Sequence, residues 1–175
     1  MDLRVAKTKF SIKKAFMKLL GRSEPSEIKV KDICSEAKIN KTTFYKHYRD
    51  SVALIDEIYM RAVDKVVERF SERELLFEDP MAYISGLYFA LEAEIETLRL
   101  VFRGKTDVLC TKLEERLKSF YSFEKSTDKA LALTFIIGGC VRVVQDYLFS
   151  EDHNLANLAD STAKIANIVI EDITE

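Results

Sequence analysis

Residues 28–54, IKVKDICSEAKINKTTFYKHYRDSVAL, decide the fold of this chain. Val30, Ile33, Cys34 and Ala37 recur at helical spacing and predict a short helix. Asn40 suits the N-cap of the next helix and Asp50 that of the one after, because a short polar side chain can accept from the free N–H groups of a first turn. The stretch therefore reads as two short helices joined by a tight turn, followed at once by a third. Phe44 and Tyr48, spaced i,i+4, can turn inward and anchor the second short helix on Ile12, Phe16 and Ile33. The side chains left outside are Lys41, Thr42, Thr43, Tyr45, Lys46, His47 and Arg49.

That outer set matches what a helix-turn-helix needs. One helix braces across a duplex backbone while the second lies in the major groove, where each base pair presents a distinct pattern of donors and acceptors. Thr42 and Thr43 can hydrogen-bond there or touch a thymine methyl. Lys41, Lys46 and Arg49 can meet phosphate or guanine. Tyr45 can donate to a phosphate oxygen or pack on a sugar. His47 has two readings, a phosphate contact or simple packing at the helix end. Aromatics and lysines on a short helix also make an ordinary core and solvated face, so the turn length, the cap and the charge distribution weigh in the reading.

Charge supports it. The net of −2 conceals an asymmetry: residues 1–50 hold 13 Lys+Arg against 6 Asp+Glu, a net of +7, and residues 51–175 hold 14 against 23, a net of −9. A basic first third on an acidic body fits one polyanion-binding end. Hydrophobic content of 47% supports a real core, and the scarcity of glycine (5) and proline (2) disfavours turn-rich β folds.

Working outward, every long segment has helical periodicity and none alternates as a strand. Ile12, Ala15, Phe16 and Leu19 form one face of a first helix, extended backwards by Val5 and Thr8 and stopped at Gly21. Residues 23–26 read as loop. Ile55, Ile58, Tyr59, Ala62, Val66 and Phe70 stripe a long helix from Asp50. Asp79-Pro80 opens another, carried by Ile84, Leu87, Tyr88, Leu91, Ile95 and Leu98 and broken at Gly104. Leu109, Leu113, Leu117 and Phe120 mark the next. Ser126 or Thr127 caps the most apolar helix, ending near Phe149; residues 150–154 read as loop; Leu158, Thr162, Ile165, Ala166, Val169 and Ile173 mark the last. The expectation is an all-α chain of about nine helices. Residues 1–49 form a three-helix helix-turn-helix domain, and residues 50–175 a helical ligand-binding and dimerisation domain.

Residues 12–54 resemble the DNA-binding domain of tetracycline-repressor-like (TetR-family) regulators. IKKAFMKLL is similar to the family's first helix, IKVKDICSEAKIN to its second helix and turn, and KTTFYKHYRDSVAL to its recognition helix and the start of its fourth. Four positions depart from the pattern. Lys29 replaces the threonine that caps the second helix. Lys38 replaces the turn glycine, a strain if φ is positive there. Thr42 replaces a small residue, and Ser51-Val52 a Lys-Glu pair. The resemblance implies a transcriptional regulator, acting as a ligand-responsive repressor and a dimer on a palindromic operator. Its partners would be double-stranded DNA, a second copy and a small-molecule effector.

The resemblance also implies that the last two long helices pair with their copies in a second subunit. Thr134, Ile137, Gly138, Val141, Ile165, Val169 and Ile173 are the interface candidates. Thr134, Gly138 and Gly139 leave a low strip that lets another helix approach. The bland alternative is that both helices are internal core. An effector would lie in the body, where Tyr59, Tyr88, Phe89, Phe102 and Tyr121 are the candidate lining; aromatics at helical spacing are equally ordinary core. Arg142 and Asp146, i,i+4, suit a solvated or an interface pair.

The remaining signals are negative. The N-terminus has no apolar signal core, and the apolar run Ala130–Val141 falls short of the about 20 residues that span a membrane. Cys34, Cys110 and Cys140 have no metal-ligand spacing and read as reduced thiols of a cytoplasmic protein. With only His47 and His153, and no nucleophile motif or phosphate loop, catalysis is not expected, nor a cofactor or metal. The alternative to a DNA regulator is a helical ligand-binding or adaptor protein of the same fold that has lost DNA binding.

Overall fold

The computed structural model describes residues 3–124, 127–148 and 156–174. Among the described residues there are nine α-helices and no strand. They are α1 (Leu3–Leu20), α2 (Val30–Ala37), α3 (Lys41–Tyr45), α4 (Ser51–Arg69), α5 (Pro80–Ala93), α6 (Ile95–Val101), α7 (Thr106–Lys118), α8 (Asp128–Leu148) and α9 (Ala156–Thr174). The all-α expectation holds. The chain forms two compact units, Met1–Arg61 and Ala62–Glu175. The first carries a net charge of +6 (14 Lys+Arg, 8 Asp+Glu) and the second −8 (13 and 21).

In the first unit α1 packs on α2, and α2 on α3. Ile12, Phe16, Ile33, Phe44, Tyr48 and Leu54 are its buried centre. Val5 remains exposed, so the apolar face of α1 begins later than its sequence pattern suggests. Residues 25–27 form a single 3-10 turn rather than open loop, with Pro25 at its first position. Asp50 caps α4, its Oδ1 accepting from the N–H of Ala53 at 2.8 Å. The Glu57 carboxylate then ties α4 back to α1, receiving Lys9 at 2.8 Å and Lys13 at 3.0 Å.

In the second unit α5 packs on α9, α7 on α8 and α8 on α9. Its buried centre includes Tyr83, Leu87, Tyr88, Leu98, Phe102, Leu113, Ile137 and Val144. Asp79 caps α5 through the N–H of Ala82 at 2.9 Å, with Pro80 at the first helical position. The periodicity that reads as one helix from Ile84 to Leu98 is broken at Glu94, where α5 ends and α6 begins. Glu94 is a buried carboxylate held by Arg69 at 2.7 Å, with the Lys65 ammonium 3.9 Å away. Gly104 then turns the chain with φ of 65°. Thr127 caps α8, its Oγ1 accepting from the N–H of Ala130 at 3.3 Å. The other candidate cap, Ser126, lies outside the described residues, as do Phe149 and residues 150–154.

Helix α8 is long and apolar enough, by length and composition, to cross a membrane. Counted to Tyr147, it exceeds the twelve-residue apolar run because Val143 and Val144 follow Arg142. One of its faces packs on α7 and α9.

Candidate nucleic-acid interface

Helix α3 is built from both ends. Asn40 caps it, its Oδ1 accepting from the N–H of Thr43 at 2.7 Å. The N–H groups of His47 and Tyr48 both close on the Phe44 carbonyl, at 2.9 and 3.0 Å, so the helix tightens and stops. Phe44 and Tyr48 are buried, ring centroids 5.7 Å apart. Burial and the nearby Glu57 carboxylate push the Tyr48 phenol well above its ordinary value. The Lys9 ammonium lies 5.1 Å from the Tyr48 ring. This inner side fixes which way the outer side faces.

On that outer side Lys41, Thr42, Tyr45 and Lys46 are exposed, and Thr43 and His47 are half-buried. Tyr45 is 53% exposed, held edge-on to Phe44 at 5.5 Å. Arg49 lies beyond the helix and pairs with Asp50 at 3.2 Å. Six of the seven expected residues are thus gathered on α3 and its C-terminal turn, and Arg49 flanks them.

The two ends of α2 show how two departures from the sequence pattern are accommodated. Lys29 offers α2 no side-chain cap, and Asp32 compensates by accepting the Lys29 N–H at 3.3 Å. Lys38 adopts the left-handed conformation, φ 54° and ψ 45°, and among the described residues no other non-glycine has positive φ. Its N–H donates to the Ser35 carbonyl at 3.2 Å and that of Ile39 to the Cys34 carbonyl at 3.0 Å. Those are the two bonds of a Schellman helix ending, with lysine where glycine is usual.

The acidic unit holds the other candidates. Of the interface set, Ile137 and Val141 are buried in the unit's own core, Thr134 and Ile165 are exposed, and Gly138 and Val169 are intermediate. The Ile173 side chain lies outside the described residues. Sequence reading missed Leu131 and Phe135, 62% and 64% exposed, which with Ile165 and Ile168 at 59% and 67% leave apolar surface on α8 and α9. A cleft of about 180 Å³ opens among Phe135, Gly139, Cys140, Thr162 and Ile165. Arg142 and Asp146 pair at 3.4 Å and both are exposed, as a solvated pair requires.

The five candidate aromatics divide between the two units. Tyr59 belongs to the first unit and the other four to the second. Tyr88 and Phe102 are fully buried, Tyr121 is half-buried and Phe89 is 71% exposed. None of them lines the cleft, although the Tyr88 hydroxyl donates to Thr162 Oγ1 at 3.3 Å on its wall. Tyr121 instead donates to the Arg73 carbonyl at 2.8 Å.

The three cysteines are free. Burial pushes all three thiols up, Cys140 to about 12, which leaves them poor nucleophiles and metal ligands. Among the described residues no three His, Cys, Asp or Glu side chains cluster as a metal site. His153 lies outside the described residues.

No family model matches the chain, and no curated protein matches it. Solved structures do. A TetR transcriptional regulator from Streptococcus agalactiae 2603V aligns over 93% of this chain and 95% of its own, with a TM-score of 0.61 and 22% identity. The dihydroxyacetone kinase operon activator DhaS aligns over 95% and 97%, with a TM-score of 0.56 and 16% identity. From the capped three-helix unit to the last helix, the chain has the fold of a TetR-type transcriptional regulator.

Proposed function

We propose that this chain is a DNA-binding transcriptional regulator, a ligand-responsive repressor that works as a dimer on a palindromic operator. The observation that carries the proposal is α3. Its aromatic side is locked into the core, and its outer side offers Lys41, Thr42, Tyr45 and Lys46 to solvent from a unit of net charge +6. Hydroxyls and cations on a short helix with a fixed facing are what major-groove reading requires. Residues 1–49 would supply this reader and residues 50–175 the control. The fold shared with a TetR regulator and with DhaS, whose name describes an operon activator, supports a regulatory role.

The dimer reading rests on α8 and α9. Leu131, Phe135, Ile165 and Ile168 expose apolar surface beside the low-profile Thr134 and Gly138, which suits helix-on-helix packing by a second copy. Two readers related by a two-fold axis would meet a palindrome one helical turn apart. Effector binding in the body would favour one arrangement of the readers and so change operator affinity.

The test is a mobility-shift titration on the DNA upstream of the chain's own gene. The parent protein should shift it, with affinity falling steeply as salt rises because phosphate contacts release counterions. Tyr45→Ala and Lys46→Ala should each weaken binding about 5- to 30-fold without unfolding the protein, the range that about 1–2 kcal/mol of lost contact gives. Absence of any shift at low salt, or insensitivity to both substitutions, would sink the reading.

A further inference from the structure

Lys38 breaks a local rule, and among the described residues no hydrogen bond or ion pair of its side chain offsets the cost. A left-handed φ of 54° brings the Cβ of an L-residue against its own backbone, which is why glycine or asparagine ordinarily holds this place in a helix ending. The segment leaves no room to relax. On one side the Lys38 and Ile39 N–H groups are committed to the carbonyls of Ser35 and Cys34. On the other, Asn40 is committed as the cap of α3. The conformation is imposed by the α2–α3 turn, and the turn would form at lower cost with glycine.

The lysine side chain makes no direct local bond. It is exposed, and among the described residues its ammonium has no hydrogen bond or ion pair. The nearest acidic group along the helix, Glu36, forms its ion pair with Lys18, and Lys38 only adds to the positive field that lowers that exposed carboxyl. What remains is an exposed cation without a direct partner, two residues before the cap of the reading helix, at the end of the helix that crosses the duplex backbone in this type of reader. A residue held in a sparsely populated conformation by its surroundings is a recognised mark of a functional position.

We propose that Lys38 is a phosphate-contacting residue, an electrostatic clamp at the α2–α3 turn that adds sequence-independent affinity at the expense of the turn's stability. The proposal rests on the reading of α3 as the DNA-binding element. It assigns a role to a position outside the expected contact set, Lys41 to Arg49. It also makes two effects of one substitution run in opposite directions, which a merely solvated lysine would not do.

The experiment compares the full chain with Lys38→Gly, Lys38→Asn and Lys38→Arg. Each is measured for thermal melting and for binding to a mixed-sequence DNA duplex across a salt series. Lys38→Gly should melt about 2–4 °C higher, the shift expected when about 1 kcal/mol of backbone strain is relieved in a chain of this size. The same variant should bind the duplex more weakly, with the slope of log affinity on log salt shallower by about 0.9, one phosphate contact. Lys38→Asn, which also tolerates the conformation, should lose the same slope, and Lys38→Arg should keep it. A Lys38→Gly protein that binds with the parental slope overturns the clamp and leaves the DNA-binding reading standing. A parent chain that does not bind the duplex at low salt overturns both.

Discussion

At the residue scale, the second left-handed position complements the first. Gly104, φ 65°, has open space where a Cβ would be built, so any cost of alanine there comes from the backbone alone. Gly104→Ala should destabilise the protein by about 1 kcal/mol in a urea titration; a change under a few tenths would mean that the turn relaxes. Tyr83 poses the opposite case. Its side chain is fully buried against Phe70, centroids 4.9 Å apart, and among the described residues its hydroxyl finds no hydrogen-bond partner. Burial drives its phenol far above the ordinary range. A buried hydroxyl without a partner is a desolvation cost of about 1 kcal/mol or more. Tyr83→Phe is therefore expected to be neutral or stabilising, and a loss beyond about 1 kcal/mol in the same titration would show that the hydroxyl is satisfied.

At the element scale, what could be read from sequence follows how local the governing interaction is. Asn40, Asp50 and Asp79 act on N–H groups three residues away, so three helix starts were legible as written. The end of α5 was not. Glu94, where α5 gives way to α6, is held by Arg69, 25 residues earlier, and periodicity carries no trace of a buried ion pair. The outer face of α8 was obscured for another reason. The helix is apolar on nearly every side, so spacing could not say that Ile137 faces inward while Leu131 and Phe135 face out. The outward face of α3 was legible because Phe44 and Tyr48 mark its inner side.

The link from α1 to α4 carries a pH signature. Burial alone would raise the Glu57 carboxyl, but Lys9 and Lys13 outweigh it and hold the group below its usual range. A carboxyl lowered in the folded state stabilises the fold at pH above its unfolded value of about 4.3, and that contribution fades as pH falls through the folded value. The three side chains are about one-third exposed, so the effect is about 1 kcal/mol or less. Glu57→Gln should lower stability at neutral pH by that amount and converge with the parent under acid. Parallel stability curves down to low pH would refute the assignment.

At the scale of the whole molecule, the two units carry opposite charge, and each was partly visible in advance. The split into a basic first third and an acidic remainder is a property of composition and survives any error in helix boundaries. Helical spacing does not sort aromatics between core, pocket and surface, because an aromatic satisfies each of them equally well. Tyr88 and Phe102 went to the core, and Phe89 to the surface. Charge on the outside of the first unit also makes a solution prediction. The salt slope of DNA binding should track the number of exposed cations near α3, so removing Lys41 and Lys46 together should flatten it by about 1.8. An unchanged slope would place the duplex elsewhere on the protein.

The apolar strip left bare on α8 and α9 makes the amount of protein a thermodynamic variable. If a second copy covers Phe135 and Ile168, association stabilises the folded chain by mass action. The melting temperature should then climb with each dilution step reversed, and Phe135→Glu should abolish the climb. While monomers predominate, the dimer population grows as the square of the chain's abundance. A regulator built this way would respond to its own dosage more steeply than one-to-one binding allows, occupying its operator only after expression passes the concentration at which copies pair.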